Sequence, residues 1–269
     1  MRKYYIHGIV FASLLTSCGS GDAAKAQRDS AENLQAEITN AMQAEKYAEA
    51  VAMIDSFSTT FPLQVDIRRA LIPTRAKAVE GITLQNIPAL DKQIADFQAN
   101  IAALEGEFTS VKTASSLPPY LVYKGCTGTV DGVARIQARV NTGDDAEFSP
   151  WVLAVGTGRN IGVNRLQVST KQGAAYTIDV PQSDYAQASV PMENISPLAK
   201  QLYENDDEIA SVTAYGTNGN ATIKVTPAES RGIASAWKLC TDRDSLRSTL
   251  IAREKAERLL QMARDKAVN

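Results

Sequence analysis

Apolar residues in the first third of the chain recur every three or four positions, which is the spacing of amphipathic helices. They form two stripes, the first with Ala31, Leu34, Ile38 and Ala41 and the second with Tyr47, Val51 and Ile54. Phe61-Pro62 ends the second stripe, and residues 65–79 continue the pattern with a proline, Pro73, that kinks or splits a helix. The pattern predicts a helical hairpin followed by a third helix.

The segment Lys46-Tyr47-Ala48-Glu49-Ala50, with Pro62 downstream, resembles the second helix of a tetratricopeptide unit. One such unit is visible, whereas stacked repeats need about three to bury a continuous core. A plain hairpin is therefore the prediction, and a peptide-binding groove is the alternative.

The clearest periodicity follows, where apolar residues alternate gaps of three and four at Ile87, Leu90, Ile94, Phe97, Ile101, Leu104, Phe108 and Val111. This heptad seam predicts a helix of ~37 Å that packs on another helix. Two partners are possible: a helix of the same chain, or a second copy in a parallel coiled coil.

A long C-terminal helix is predicted over 227–269, because Thr226-Pro227-Ala228-Glu229 combines a capping box with proline at the first helical position. Its stripe consists mostly of small residues: Leu246, Ala252, Ala256, Leu259 and Ala263. We expect this helix to pack back on the seam of 87–111, since both segments flank one β region.

Between them, residues 117–226 alternate apolar and polar positions and carry many turn residues. The predicted strands are 120–124, 134–140, 151–156, 164–169, 174–180, 208–215 and 221–225. Short strands at this spacing favour an antiparallel β-sandwich. Ser196-Pro197 predicts a short helix to Tyr203 that closes one end of it. The fold class is therefore α+β, with helices over 25–116 before the sandwich.

The N-terminus has two positive charges, Arg2 and Lys3, then about a dozen mostly apolar residues and Leu15-Thr16-Ser17-Cys18, as in a secretory signal. The last four residues resemble the lipobox of bacterial lipoproteins. That resemblance implies a diacylglycerol on the Cys18 sulfur and cleavage just before it. Residues 1–17 would then be a signal peptide and 18–24 a tether. An ordinary signal peptide or a short transmembrane helix is the alternative, although the apolar run is short for ~30 Å of hydrocarbon.

The whole layout resembles a group of uncharacterised lipoproteins found in Bacteroides-type bacteria. The resemblance depends on the lipobox, Arg68-Arg69-Ala70, Tyr120-Leu121-Val122-Tyr123 and Gln261-Met262-Ala263-Arg264-Asp265. It implies no activity. Some surface-exported lipoproteins of those bacteria carry an acidic cluster directly behind the cysteine. Here only Asp22 follows, which favours an outer-membrane anchor that faces the periplasm.

Charge and histidine content exclude several classes of function. The formal net charge is −2 and no basic stripe is present, so nucleic acid is an unfavourable partner. The only histidine is His7, which would leave with the signal peptide. Histidine-based catalysis and histidine-ligated zinc are then excluded. We nominate no catalytic residue, cofactor or metal site.

Cys126 and Cys240 are the two cysteines besides Cys18. An oxidising compartment favours a disulfide between them, which would close a loop of over 100 residues and stabilise the fold by ~4–5 kcal/mol. Two independent buried thiols are the alternative.

Four further motifs suggest ligand chemistry only weakly. Residues 156–162 are glycine-rich but miss the dinucleotide spacing and predict a hairpin. Ser235-Ala236-Trp237-Lys238 matches a Ser-Lys hydrolase motif with incomplete companions. The acidic runs Asp144-Asp145 with Glu147, and 205–208, lack calcium-loop spacing and predict solvated turns. Trp151 and Trp237, with the tyrosines of the β region, predict core packing, or a sugar-binding face where the rings are exposed.

The sequence therefore predicts a non-catalytic, lipid-anchored protein of the cell envelope that serves as a structural or partner-binding module through its helical region. A glycan-binding or small-ligand-binding β-sandwich is the alternative, and a histidine-free hydrolase is the third possibility.

Overall fold

A computed structural model describes residues 20–112, 119–142, 150–181 and 186–268. Within these ranges the protein is α+β, as predicted, with five α-helices and two antiparallel sheets. The chain divides into two compact units, Met1–Pro88 with Glu254–Asn269, and Ala89–Arg253. The proposed signal peptide and Cys18 lie outside the described residues.

The first unit is helical. Its elements are α1 (Ser20–Gln43), α2 (Tyr47–Thr60), the first part of α3 (Val65–Glu105) and the end of α5 (Pro227–Val268). Its main apolar cluster joins the first three helices through Ala31, Ile38, Ile54, Phe57, Ile67 and Leu71. These residues include members of both predicted stripes, so the helical periodicity identified the buried faces correctly.

The predicted tether 18–24 is wrong over most of its length, because α1 begins at Ser20. Ala23 and Ala24 are strong helix formers, and Asp22 lies in the first turn, where a negative charge stabilises the helix dipole.

The third predicted helix and the seam helix are one continuous helix, α3, with Pro73 and Pro88 inside it. In the second unit its seam residues are the partly buried ones, and the residues between them are exposed. These seam residues are Leu90, Ile94, Phe97, Ile101 and Leu104. The heptad pattern thus identified the buried stripe.

The last part of the predicted seam is wrong: Phe108–Val111 forms strand β1, not helix. Gly106 follows the helix end at Glu105, and the Phe108 ring packs edge-on against Tyr123 of the next strand. Phe108 and Val111 continued the helical spacing only by coincidence.

The capping box at the start of α5 is confirmed. The Glu229 amide donates to the Thr226 hydroxyl oxygen at 3.2 Å, and the Thr226 amide donates to the Glu229 carboxylate at 2.8 Å.

The prediction that Leu259 belongs to the buried stripe of α5 is wrong. Leu259 is 43% exposed, and its neighbour Leu260 is partly buried instead.

Ion pairs join α5 to α3 in each unit, and the two pairs of the second unit run in antiparallel order. In the second unit Arg243 pairs with Glu105 at 2.7 Å and Arg253 with Asp91 at 2.6 Å. In the first unit Arg264 pairs with Glu80 at 2.8 Å.

The second unit contains the sheets. One has the order β1-β2-β3-β4-β7 and the other β6-β5-β8-β9. The strands are β1 (Phe108–Val111), β2 (Tyr120–Tyr123), β3 (Ala134–Asn141), β4 (Trp151–Thr157), β5 (Val163–Thr170), β6 (Ala175–Asp179), β7 (Gln187–Pro191), β8 (Ile209–Gly216) and β9 (Gly219–Ile223). All seven predicted strands are present, and β1 and β7 were missed.

One apolar cluster takes residues from both sheets and from two helices. Helix α4 (Met192–Glu204) contributes Ile195, Leu198 and Leu202, and α5 contributes Ile233 and Leu239. Helix α4 starts earlier than predicted: Ser196 is not its N-cap, and its hydroxyl donates back to the Met192 carbonyl at 2.8 Å.

Candidate functional site

The turn between α1 and α2 brings polar side chains of both helices to one place. The Lys46 amide donates to the Ala41 carbonyl at 2.9 Å, and Glu45 takes a left-handed conformation with φ of 56°. The ring of Tyr47, the first residue of α2, packs against Gly81 of α3: a Cβ added at Gly81 would lie 2.4 Å from the ring. The turn is therefore fixed by backbone hydrogen bonds and by a close aromatic contact.

A solvent-open groove of about 350 Å³ lies on this side of the two helices. Its lining residues are Glu37, Asn40, Ala41, Ala44, Lys46, Glu49 and Met53. The floor is apolar, with Ala41 buried and Met53 partly buried, and the rim is charged. We call this the α1–α2 groove.

The charges of the α1–α2 groove do not balance. Lys46 pairs with Glu49 at 3.3 Å, which leaves Glu37 as the second acid on the rim. Beneath the groove, Ala41, Ala50 and Ala78 form a cluster of small side chains that allows the helix backbones to approach closely. The site thus has an apolar floor and a net negative rim.

The groove was not nominated residue by residue, but a signal for it was present. Lys46 and Glu49 belong to the segment that resembles a tetratricopeptide helix, for which a peptide-binding groove was the alternative reading. The contribution of Glu37 and Asn40 depends on how α1 packs on α2, which the local pattern does not specify.

The expected Cys126–Cys240 disulfide is not formed: both thiols are free and buried. Cys126 lies next to Gly232 of α5, because a Cβ added at Gly232 would be 3.6 Å from the Cys126 Sγ. Cys240 is eight residues farther along that helix, an axial distance of about 12 Å, which exceeds the span of a disulfide. Burial raises the pKa of Cys126 to about 11 and that of Cys240 to about 12. Neither is a reactive thiolate at neutral pH.

The Ser-Lys motif is engaged in structural contacts. The Ser235 hydroxyl donates to Glu107 at 3.0 Å, and the Lys238 ammonium pairs with Asp242 at 2.5 Å. Neither of these contacts joins Ser235 to Lys238, the pairing on which Ser-Lys chemistry depends.

The glycine-rich segment 156–162 is not a hairpin, so that prediction is wrong. It leads from β4 in one sheet to β5 in the other, and these strands do not pair. A Cβ at Gly156 would lie 2.1 Å from the Val130 carbonyl oxygen, so a close backbone approach requires this glycine.

The two acidic runs differ in what the structure describes. Asp144, Asp145 and Glu147 lie outside the described residues. In the other run Asp207 is buried and accepts hydrogen bonds from the Gln172 and Glu208 amides at 3.2 and 2.8 Å. Among the described residues no cluster of three or more metal-ligating side chains is found.

The aromatic residues separate into core and surface. Trp151 is fully buried in the apolar cluster, as expected for core packing. Trp237 packs against the same cluster and tilts against Tyr203, with ring centroids 5.8 Å apart. Tyr203 remains 41% exposed.

Comparison with known proteins gives no relative: no protein family, curated protein or solved structure matches this chain. In the described residues, no helix combines the length and apolar character needed to cross a bilayer.

Proposed function

We propose that this chain is a non-catalytic, lipid-anchored protein of the cell envelope whose helical region binds a partner protein. The α1–α2 groove carries the partner-binding part of the proposal. It is a concave surface that pairs an apolar floor with charged groups in the region where a partner was expected.

The anchor is proposed at Cys18, from the lipobox Leu15-Thr16-Ser17-Cys18. A thioether-linked diacylglycerol and an amide-linked acyl chain would hold the protein stably, because one chain alone binds only marginally. The proposed location is the outer membrane, facing the periplasm. Mass spectrometry of the protein from its native host tests the modification, and Cys18→Ser should release the protein from membranes. An unmodified Cys18 in the mature protein would refute the anchor.

The groove fits a partner segment that inserts one apolar side chain next to a basic one. Met53, Ala41 and Ala44 would contact the apolar group, and Glu37 would face the positive charge. Burying even one large apolar side chain contributes about 1.5–3 kcal/mol. The basic residue supplies orientation through charge complementarity.

Photo-crosslinking from two positions of α2 in intact cells tests this assignment. A photoreactive amino acid at Met53 lies in the groove, whereas the same group at exposed Ser58, two residues before the end of α2, lies outside the groove lining. We expect a discrete crosslinked protein from position 53 that is absent from position 58 and is weakened by Glu37→Lys. Identical products from both positions, or none from position 53, would refute the groove as the binding site.

We further propose that the two sheets face each other as a β-sandwich and that α1 and α2 form a helical hairpin. The shared apolar cluster supports the first arrangement, and the three-residue turn Ala44–Lys46 supports the second. The ion pairs between α5 and α3 favour packing within one chain over a parallel homodimer.

Glycan binding is the second candidate function. Tyr215 of β8 stacks under Arg165 of β5 at 5.0 Å and donates to Gln167 at 3.0 Å, on a polar sheet face. A tyrosine ring offers an apolar face and a polar edge, which suits a sugar ring with its C–H face and hydroxyl groups. Tyr215→Ala should then abolish binding to envelope polysaccharide; unchanged binding would eliminate this candidate.

A further inference from the structure

Arg139 lies on the middle strand of the five-stranded sheet. Along β3, Ile136, Ala138 and Val140 are buried in the apolar cluster, so the alternation of the strand places Arg139 on the opposite face. Its partner across the sheet is Val152 of β4, an apolar residue.

A buried glutamine fixes the orientation of this arginine. The Gln137 amide group donates to two backbone carbonyls, those of Cys126 and Gly128, the second at 2.8 Å. The remaining carbonyl oxygen of Gln137 accepts a hydrogen bond from Arg139 Nε at 3.0 Å. The guanidinium lies over the Tyr120 ring, 4.7 Å from its centroid. The rotamer is thus set from two sides, which is the property of a preorganised binding group.

Among the described residues, Arg139 lacks the counter-charge that comparable arginines have. Four arginines of the described ranges are partly buried, and three of them pair with a carboxylate. These pairs are Arg135 with Glu229 at 3.1 Å, Arg243 with Glu105 at 2.7 Å and Arg253 with Asp91 at 2.6 Å. Arg139 contacts only the glutamine oxygen and the tyrosine ring among the described residues, and burial lowers its pKa. A partly desolvated cation without an anion is costly, so the site favours binding of one.

We propose that Arg139 binds a carboxylate group of a ligand through its two terminal nitrogens, with the ligand lying beside Tyr120 and Val152. The planar guanidinium fork matches a carboxylate in a two-hydrogen-bond geometry. A single positive charge next to an apolar residue balances a monoanion better than a phosphate dianion. The carboxylate comes from a free small molecule or from a polypeptide. This site belongs to the second unit and does not depend on the α1–α2 groove.

The test is an NMR titration of the full-length protein that follows the Arg139 Nε–H signal. The probes are benzoate, the capped peptide acetyl-Gly-Glu-Gly-amide and inorganic phosphate, each against sodium chloride at equal ionic strength. We expect benzoate or the peptide to shift the signal saturably, and Arg139→Lys to weaken that binding about tenfold or more because lysine lacks the fork. Arg165→Lys is the matched control, since Arg165 also stacks on a tyrosine but is exposed; it should leave carboxylate binding at Arg139 unchanged.

The outcomes separate the sources of the carboxylate. Benzoate binding without peptide binding assigns a small-molecule ligand, and tighter peptide binding assigns a polypeptide carboxylate. An Arg139 signal that neither carboxylate moves, an equal loss in Arg165→Lys, or tighter binding of phosphate would overturn the proposal. If Arg139→Lys does not fold, the response of the Arg139 Nε–H signal in the wild-type protein still shows whether a carboxylate binds there.

Discussion

Cys240 illustrates how a single buried side chain makes stability depend on pH. Its thiol lies within the main apolar cluster, 3.7 Å from the Pro150 carbonyl oxygen, and burial raises its pKa from the ordinary 9.0 to about 12. In the unfolded chain the thiol ionises near its ordinary value, whereas in the folded protein it stays neutral to much higher pH. Ionisation above pH 9 therefore favours the unfolded state.

Folding stability should accordingly fall as pH rises from 9 towards 12, with Cys240 contributing on the order of 1 kcal/mol of that loss at pH 10. Denaturant unfolding at pH 8 and pH 10 measures this change in the free energy of unfolding. Cys240→Ala should lower stability at pH 8 through lost packing but show a smaller further loss at pH 10. Val190→Ala, a buried change without a titratable group, should keep the parental pH dependence. An identical pH dependence in Cys240→Ala would contradict this account.

Helices α2 and α3 meet at the contact between Tyr47 and Gly81. Glycine in the middle of a helix ordinarily costs about 0.5–1 kcal/mol relative to alanine. Here an added Cβ would lie 2.4 Å from the Tyr47 ring, so the small residue is required by packing.

Gly81→Ala should therefore destabilise the protein by about 1–3 kcal/mol, opposite in sign to the helix propensity effect. In a Tyr47→Ala background the same change should become stabilising, because the obstructing ring is gone. Thermal unfolding of the two single variants and the double variant measures this coupling. If the stability changes of the two single variants simply add in the double variant, the Tyr47 ring does not obstruct a side chain at position 81.

Element boundaries were predictable where a short-range mechanism specifies them. The capping box at Thr226–Glu229 located the start of α5, and period-two alternation located seven strands. Strand β7 was missed because Ala188, Ser189 and Pro191 have weak strand preference. Strand β1 was misread because helical spacing and strand pairing both fit its apolar residues. The segment around Lys46 and Glu49 carried a local signal for the α1–α2 groove, but the other groove residues and the Arg139 site depend on which elements become neighbours, which no local pattern encodes.

The pairing of α5 with α3 in the second unit can be tested by reversing one ion pair. Glu105→Arg and Arg243→Glu each place like charges together and should each destabilise by about 0.5–1 kcal/mol, since both side chains are partly solvated. The double reversal should recover most of the loss. Denaturant titration gives the free energies, and sedimentation checks that every variant keeps the parental mass. No recovery in the double variant would argue against this register and revive the homodimer alternative.

At the scale of the whole molecule, apolar burial is distributed unevenly between the two units. The second unit has one large cluster that includes both sheets, α4 and the start of α5. The first unit has two small clusters, one of which consists of three alanines. Because local stability follows buried apolar contact, the helical unit should open at a lower free energy than the sheet unit.

Native-state hydrogen exchange with mass spectrometry tests this with two matched core truncations. Phe57 of α2 and Leu153 of β4 are both almost completely buried, and each belongs to a different cluster. Phe57→Ala should cost about 3–5 kcal/mol and speed exchange in α1 and α2 while leaving β4 and β5 unchanged. Leu153→Ala should speed exchange in β3, β4 and β7 first. Equal acceleration across both units by either variant would mean that the chain opens as one cooperative body. Separate responses would instead allow the helical unit to reshape the α1–α2 groove around a partner without loosening the β core.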